Sequence, residues 1–193
     1  MTEQPEIGVL HKLTDILDKL GIVYAVSGSM ASSAYGTVRF TQDADLGVQP
    51  FGAVAGELYR ELKRDFYISE EAMRQALSSC GSFNVIDLET AFKVDIFIQG
   101  PDEFARELFA RSRRLKISES IDKSFCFVSP EDIILLKLRW FKEGGALSDQ
   151  QWADVLGVLG VQGRALDVEY LKVWAKKLDL ADLLDRAISE SRT

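Results

Sequence analysis

Cysteine and histidine are scarce in this 193-residue chain, and each scarcity argues against a class of chemistry. The one histidine, His11, falls in a first helix far in sequence from the other chemistry-bearing residues. It reads as structural or surface, which argues against histidine acid–base catalysis and zinc chemistry. The two cysteines, Cys80 and Cys126, lack metal-ligand spacing and read as reduced thiols, Cys126 in a buried strand, of a cytoplasmic protein. Apolar runs such as 133–136 fall far short of the ~20 residues that span a bilayer, so no membrane partner is expected. Residues 1–7 are acidic and polar, unlike a secretory signal. Neither G-x-x-x-x-G-K-S/T nor G-x-G-x-x-G occurs, which removes the commonest nucleotide-binding loops. Positive charge is also in deficit: 23 Lys and Arg against 30 Asp and Glu give a net charge of −7. That balance argues against a long nucleic-acid track but leaves open a short or structured acceptor gripped locally.

What remains is an ordinary globular composition, 47% hydrophobic, with no repeat or low-complexity segment. Apolar spacing predicts helices over 5–20, 29–35, 51–64, 70–77 and 102–115, with strands over 22–26, 41–48, 83–88, 92–98 and 124–128. At Ser129-Pro130-Glu131-Asp132 the pattern changes. A Ser cap, Pro in the first turn and two acids at the positive end of the dipole form a strong helix start. Helices over 130–142, 148–160, 167–177 and 179–190 follow. The expectation is an α/β lobe at 1–128 and a helical lobe at 129–193 packed against it, without a flexible linker.

The chemistry is concentrated in three places. Gly28-Ser29 breaks a strand and opens a helix, where backbone N–H groups and a hydroxyl suit phosphate oxygens. Asp43 and Asp45 lie on one face of an extended run, with Ala44, Leu46 and Val48 on the other. Two adjacent carboxylates repel unless something positive lies between them, and a divalent cation is the usual remedy. Asp95 is isolated in the apolar run Phe92–Ile98 and shares its face with Lys93 and Phe97. If that strand lies beside 41–48, three carboxylates meet, a donor set suited to Mg²⁺. Simpler readings stand beside this one: solvated carboxylates on an edge strand, a salt bridge from Asp95 to Lys93 or Arg39, and a strand-to-helix turn with a Ser cap.

Taken in order, Gly28-Ser29, Asp43-x-Asp45 and Asp95 resemble the motif set of the DNA polymerase β nucleotidyltransferase superfamily. Arg39-Phe40-Thr41-Gln42-Asp43-Ala44-Asp45 is similar to the R-x-T-x-D-x-D form of small bacterial and archaeal members, including the AbiE-type toxin nucleotidyltransferases and their relatives. The S-P-E-D-I-I-L-L-K-L-R helix extends the likeness over most of the chain. The resemblance implies an α/β (α+β) nucleotidyltransferase fold, a short mixed sheet flanked by helices and followed by a helical lobe. It implies that Gly28 and Ser29 hold the triphosphate of an NTP. Asp43, Asp45 and Asp95 would bind two Mg²⁺ ions, with Mn²⁺ also possible. A nucleoside monophosphate would pass to a hydroxyl of a tRNA end, a protein or a small molecule, releasing pyrophosphate. A non-catalytic binding or antitoxin module with this fold is the alternative.

Arg39 and Thr41 flank the motif; Arg39 either touches a phosphate or pairs with an acid. Lys137 lies in an apolar helix, either on an exposed face or, by the resemblance, toward the triphosphate. Asp149 and Asp154 are expected to cap and solvate helices. The basic run at 111–116 reads as a solvated helix end or as a patch for a phosphorylated acceptor. Trp140, Trp152 and Trp174 are expected in the core or at an interface.

Overall fold

The computed structural model describes residues 5–39, 41–117 and 123–191. These residues form nine α-helices and a mixed seven-stranded sheet. Contacts divide the chain into two units: Met1–Val26 with Thr41–Phe127, and Ser27–Phe40 with Val128–Thr193. The second unit is therefore discontinuous in sequence.

The first unit contains helix α1 (Pro5–Lys19) and all of strand β1 (Tyr24–Ser27) except its last residue. The second unit begins with α2 (Gly28–Tyr35). Back in the first unit come β2 (Asp43–Val48), α3 (Ala55–Leu62), β3 (Phe66–Ile68), α4 (Glu70–Ser79), β4 (Ser82–Asp87), β5 (Lys93–Ile98), α5 (Glu103–Ala110), β6 (Arg113–Leu115) and β7 (Phe125–Phe127). The strand order is β3-β4-β5-β2-β1-β7-β6. β2 with β5 and β1 with β7 are parallel; β3 with β4, β4 with β5 and β6 with β7 are antiparallel. Side chains alternate along the central strands. Ala44, Leu46 and Val48 of β2 are buried with Val94, Ile96 and Ile98 of β5. Burying each of the larger side chains contributes about 1.5–3 kcal/mol. Asp43, Asp45, Lys93 and Asp95 occupy the alternate, half-exposed positions.

The second unit is helical. After α2 come α6 (Pro130–Glu143), α7 (Asp149–Gln162), α8 (Val168–Lys177) and α9 (Ala181–Glu190). The acids at the start of α6 do more than complement the helix dipole, because both are buried and hydrogen-bonded. Ser129 Oγ accepts from the Asp132 amide and donates to Asp132 Oδ2 (2.6 Å). Asp132 Oδ1 accepts from Tyr170 Oη (2.7 Å), and Glu131 Oε1 accepts from the Asp167 amide (2.9 Å). The start of α8 is thereby tied to α6. Residues 27–40 group with this unit because α2 packs on α6 and α7. The contact is close: a Cβ on Gly36 would lie 2.8 Å from the Val158 amide nitrogen and 2.9 Å from the Gly157 carbonyl carbon.

The fold class expected from the sequence is found, with local differences. The helix expected over 102–115 ends at Ala110, and Arg113 and Arg114 lie on an edge strand beside β7. Charge on an edge strand opposes unwanted pairing, which gives that basic run a structural use. β3 carries too short an apolar pattern to be read alone, and pairing with β4 makes it a strand. The segment expected as one helix over 51–64 starts as a 3₁₀ turn at Gly52–Val54. Cys126 is partly rather than fully buried. Trp174 is buried, and Trp152 stacks near Phe141 at 5.1 Å.

Asp154 and Lys137 depart most from expectation. Neither is a solvated surface group: Lys137 is 2% exposed and Asp154 9%. Lys137 Nζ lies 2.8 Å from Asp154 Oδ2, and Arg39 Nε donates to Asp154 Oδ1 at 2.9 Å. A lysine on a helix buried almost all round needs such a partner. Burial pushes the Asp154 carboxyl upward, but hydrogen bonds from Arg39 and Lys137 outweigh it and hold its pKa below the ordinary range.

Asp154→Ala should destabilise the protein by about 3–5 kcal/mol, since it strands the buried Lys137 ammonium and removes the partner of the half-buried Arg39. A depressed carboxyl contributes stability above its unfolded pKa of about 3.9, and that stability disappears as pH falls through the lower folded value. Urea unfolding should therefore show a gap between wild type and variant that is constant from pH 7 to 5 and closes only below about pH 4. Gly36→Ala should cost about 1–3 kcal/mol by overpacking against the α7 backbone, read as a lower urea midpoint at unchanged slope.

Candidate active site

The residues singled out in the sequence fall into two groups, one in each unit. In the first unit the parallel register of β2 and β5 sets Asp45 opposite Asp95 and Asp43 opposite Lys93. Period-2 alternation then puts all four on one face of the sheet. The condition attached to Asp95, that its strand lie beside 41–48, is met. Antiparallel pairing adds Asn84 of β4 opposite Asp95, a neighbour with no sequence signal of its own.

Lys93 lies among the acids. Its Nζ is 2.7 Å from Asp95 Oδ2 and 4.0 Å from Asp43 Oδ2. The Lys93 ammonium titrates above its ordinary range. The hydrogen bond to Asp95 contributes most, burial opposes it, and the charges of Asp95, Asp43 and Asp45 add to the rise. The salt bridge from Asp95 to Lys93, one of the simpler readings of the sequence, is thus present. Thr41 Oγ1 donates to Asp43 Oδ1 (3.1 Å) and also lies within hydrogen-bond distance of the Asp43 carbonyl (2.9 Å). Its contacts turn toward Asp43 and fix that carboxylate at the strand entrance.

Three carboxylates at registered positions on two adjacent strands are a donor set that suits a hard divalent cation. Among the described residues, however, no group of three histidine, cysteine, aspartate or glutamate side chains is arranged to hold a metal ion. The positive charge that two neighbouring aspartates demand is supplied in this arrangement by Lys93.

The second group belongs to the helical unit. Gly28 has φ +58°, the left-handed region that glycine enters without a Cβ penalty, and it turns the chain from β1 into α2. Ser27, not Ser29, stands at the cap position, and its side chain makes no capping hydrogen bond. Ser29 lies in the first turn, and its hydroxyl accepts from Arg39 Nη2. Arg39 also reaches Asp154 through Nε and Nη2 (2.9 and 3.1 Å), and Asp154 in turn meets Lys137. Of the two readings of Arg39, pairing with an acid is observed. Ser29, Arg39 and Lys137 are therefore linked through Asp154, which carries no motif signal, and Gly28 only precedes Ser29 in the chain. Of the R-x-T-x-D-x-D run, Phe40 lies outside the described residues.

No family model matches the chain, and no curated protein matches it. Solved structures do. The solution structure of the antibiotic-resistance factor ANT(2'')-Ia aligns with a TM-score of 0.59 at 16% identity, covering 99% of this chain and 97% of that one. The crystal structure of ANT(2'')-Ia with adenylyl-2''-tobramycin gives 0.60 at 16% identity, over 91% and 98%. An antigenic nucleotidyltransferase-like protein from Paracoccidioides brasiliensis gives 0.54 at 16% identity, over 96% and 93%. The seven-stranded mixed sheet with its flanking helices has the nucleotidyltransferase fold.

Proposed function

We propose that the protein is a nucleotidyltransferase that moves a nucleoside monophosphate from an NTP to a hydroxyl acceptor with release of pyrophosphate. The observation that carries this reading is the β2–β5 register, which assembles Asp43, Asp45 and Asp95 on one face of a nucleotidyltransferase-fold sheet. In the proposal these three aspartates hold Mg²⁺, with Mn²⁺ accepted by the same oxygens. Bound there, the ions would neutralise phosphate charge and make the acceptor hydroxyl more acidic.

The chain's own groups have separate tasks. Thr41 holds the Asp43 carboxylate through the hydrogen bond described above. Asp95 accepts the proton of the attacking hydroxyl. The Gly28 amide and Ser29 hydroxyl bind phosphate oxygens at the first turn of α2, with Arg39 and Lys137 supplying positive charge. Asp154 positions those two cations. The acceptor oxygen forms its bond to the α-phosphorus as the bond to pyrophosphate breaks.

Of the three acceptor classes, a small molecule is favoured over a tRNA end or a protein hydroxyl. The net charge of −7 opposes an extended RNA contact. The ANT(2'')-Ia complex supports the same choice, because that protein of the same fold is seen with adenylyl-2''-tobramycin. Kinship with AbiE-type toxins rests on the R-x-T-x-D-x-D run and belongs to the same proposal. So does a cytoplasmic setting, which the two reduced cysteines support. No described helix is long and apolar enough to cross a membrane.

One observation favours a second reading, a binding or antitoxin module without catalysis: Lys93 is paired with Asp95. Pyrophosphate release separates the two readings. With each of four NTPs, Mg²⁺ or Mn²⁺, and pools of polyhydroxylated amines, tRNA or protein, wild type should release pyrophosphate with one acceptor pool. Asp95→Asn should lower that rate by about 10²–10⁴-fold, and Asp43→Asn should remove metal-dependent binding of a non-hydrolysable NTP in calorimetry. Nucleotide binding without release in any pool would favour the binding module. Undiminished transfer by Asp95→Asn would sink the assignment of that residue.

A further inference from the structure

Lys93 is not an ordinary cross-strand partner. Its position opposite Asp43 and two residues before Asp95 directs its stem along the face that carries all three aspartates. Its ammonium touches Asp95 and approaches Asp43, the two carboxylates that flank it on the sheet. The Lys93 side chain is 40% exposed, so it can leave that position for water without opening the core. The face that suits a divalent cation thus carries its own monovalent one.

We propose that Lys93 is the resident counter-cation of the aspartate cluster, a competitor that a divalent ion must displace from Asp95 and Asp43 in order to bind. The inference rests on the nucleotidyl-transfer reading. An ammonium among carboxylates offsets their mutual repulsion and keeps the sheet face folded without metal. It also opposes the entry of any second cation, so the cluster binds divalent ions weakly while Lys93 is in place. Displacement becomes favourable when a substrate supplies phosphate oxygens as further ligands, because Mg²⁺ sites are typically completed by substrate phosphates. Lys93 would then couple metal binding to nucleotide binding, as a positioning residue acting through Asp43 and Asp95. A purely structural salt bridge predicts something different: its loss lowers stability and leaves metal affinity unchanged or weaker.

Mn²⁺ binding without nucleotide, followed by electron paramagnetic resonance at fixed pH, separates these cases. Lys93→Met keeps the aliphatic stem and removes the charge. It should bind Mn²⁺ about tenfold more tightly than wild type, the scale expected for removing one nearby like charge. Lys93→Arg keeps the charge and should stay close to wild type. Lys93→Gln reads the same quantity should the Met variant fail to fold. In metal-free buffer Lys93→Met should have a lower Tm than wild type and recover more of it on adding Mn²⁺. Equal or weaker Mn²⁺ binding by both uncharged variants, with binding by wild type intact, overturns this inference alone. Mn²⁺ that binds no variant, with or without a non-hydrolysable NTP, overturns the nucleotidyl-transfer reading and this inference with it.

Discussion

The parallel pairing of β2 with β5 is the constraint on which the acidic face depends. The two strands are separated in sequence by α3, β3, α4 and β4, so no local rule brings their aspartates together. Register does. A slip of β2 by one residue would carry Asp43 and Asp45 onto the face of Val94 and Ile96, and a slip of β5 would carry Asp95 onto the face of Ala44 and Leu46. Because those apolar residues are fully buried, either slip would bury the carboxylates of the shifted strand and expose its apolar residues together. Apolar burial on one face therefore fixes the position of the charges on the other.

The aspartates themselves were legible in the sequence for this reason. A D-x-D pair and a lone aspartate in apolar runs are conspicuous because period-2 alternation makes their common face readable without knowing the fold. Their adjacency was only a condition, since sequence alone does not tell which strands pair. The role of Lys93 was legible only as an alternative. It shares a face with Asp95 in any strand, but its proximity to Asp43 needs the β2–β5 register. Asn84 was silent for the same reason.

Asp154 shows where sequence reasoning fails through a different cause. It was expected to solvate a helix, as most aspartates near a helix start do. Its fate is decided by two cations from distant segments, Arg39 after α2 and Lys137 within α6. Local pattern cannot report such a contact. The sequence did give a hint, in that a lysine inside a nearly continuous apolar helix must find an acid or reach water. Similarly, residues 27–40 group with the later helices because α2 packs on α6 and α7 and Gly36, just after it, lies against the α7 backbone. The three-residue strands β3 and β6 lie below the length at which alternation can be counted.

In both groups of candidate site residues, charge is shared rather than matched one to one. On the sheet one ammonium serves two carboxylates and feels a third; in the helical unit one carboxylate serves two cations. Sharing has an energetic consequence that simple pairs lack. Removing the shared member leaves two like charges facing each other without their common partner, whereas removing either of the others leaves a pair intact. Lys93 and Asp154 are therefore the residues through which each group is most sensitive to substitution, although neither belongs to the motif that identifies the fold. The difference between them is burial. Asp154 is 7% exposed in its side chain and is tied into the packing of its unit, whereas Lys93 is 40% exposed and can exchange its partners for water. The same electrostatic arrangement thus serves as a structural anchor where it is dry and as an exchangeable occupant where it is wet.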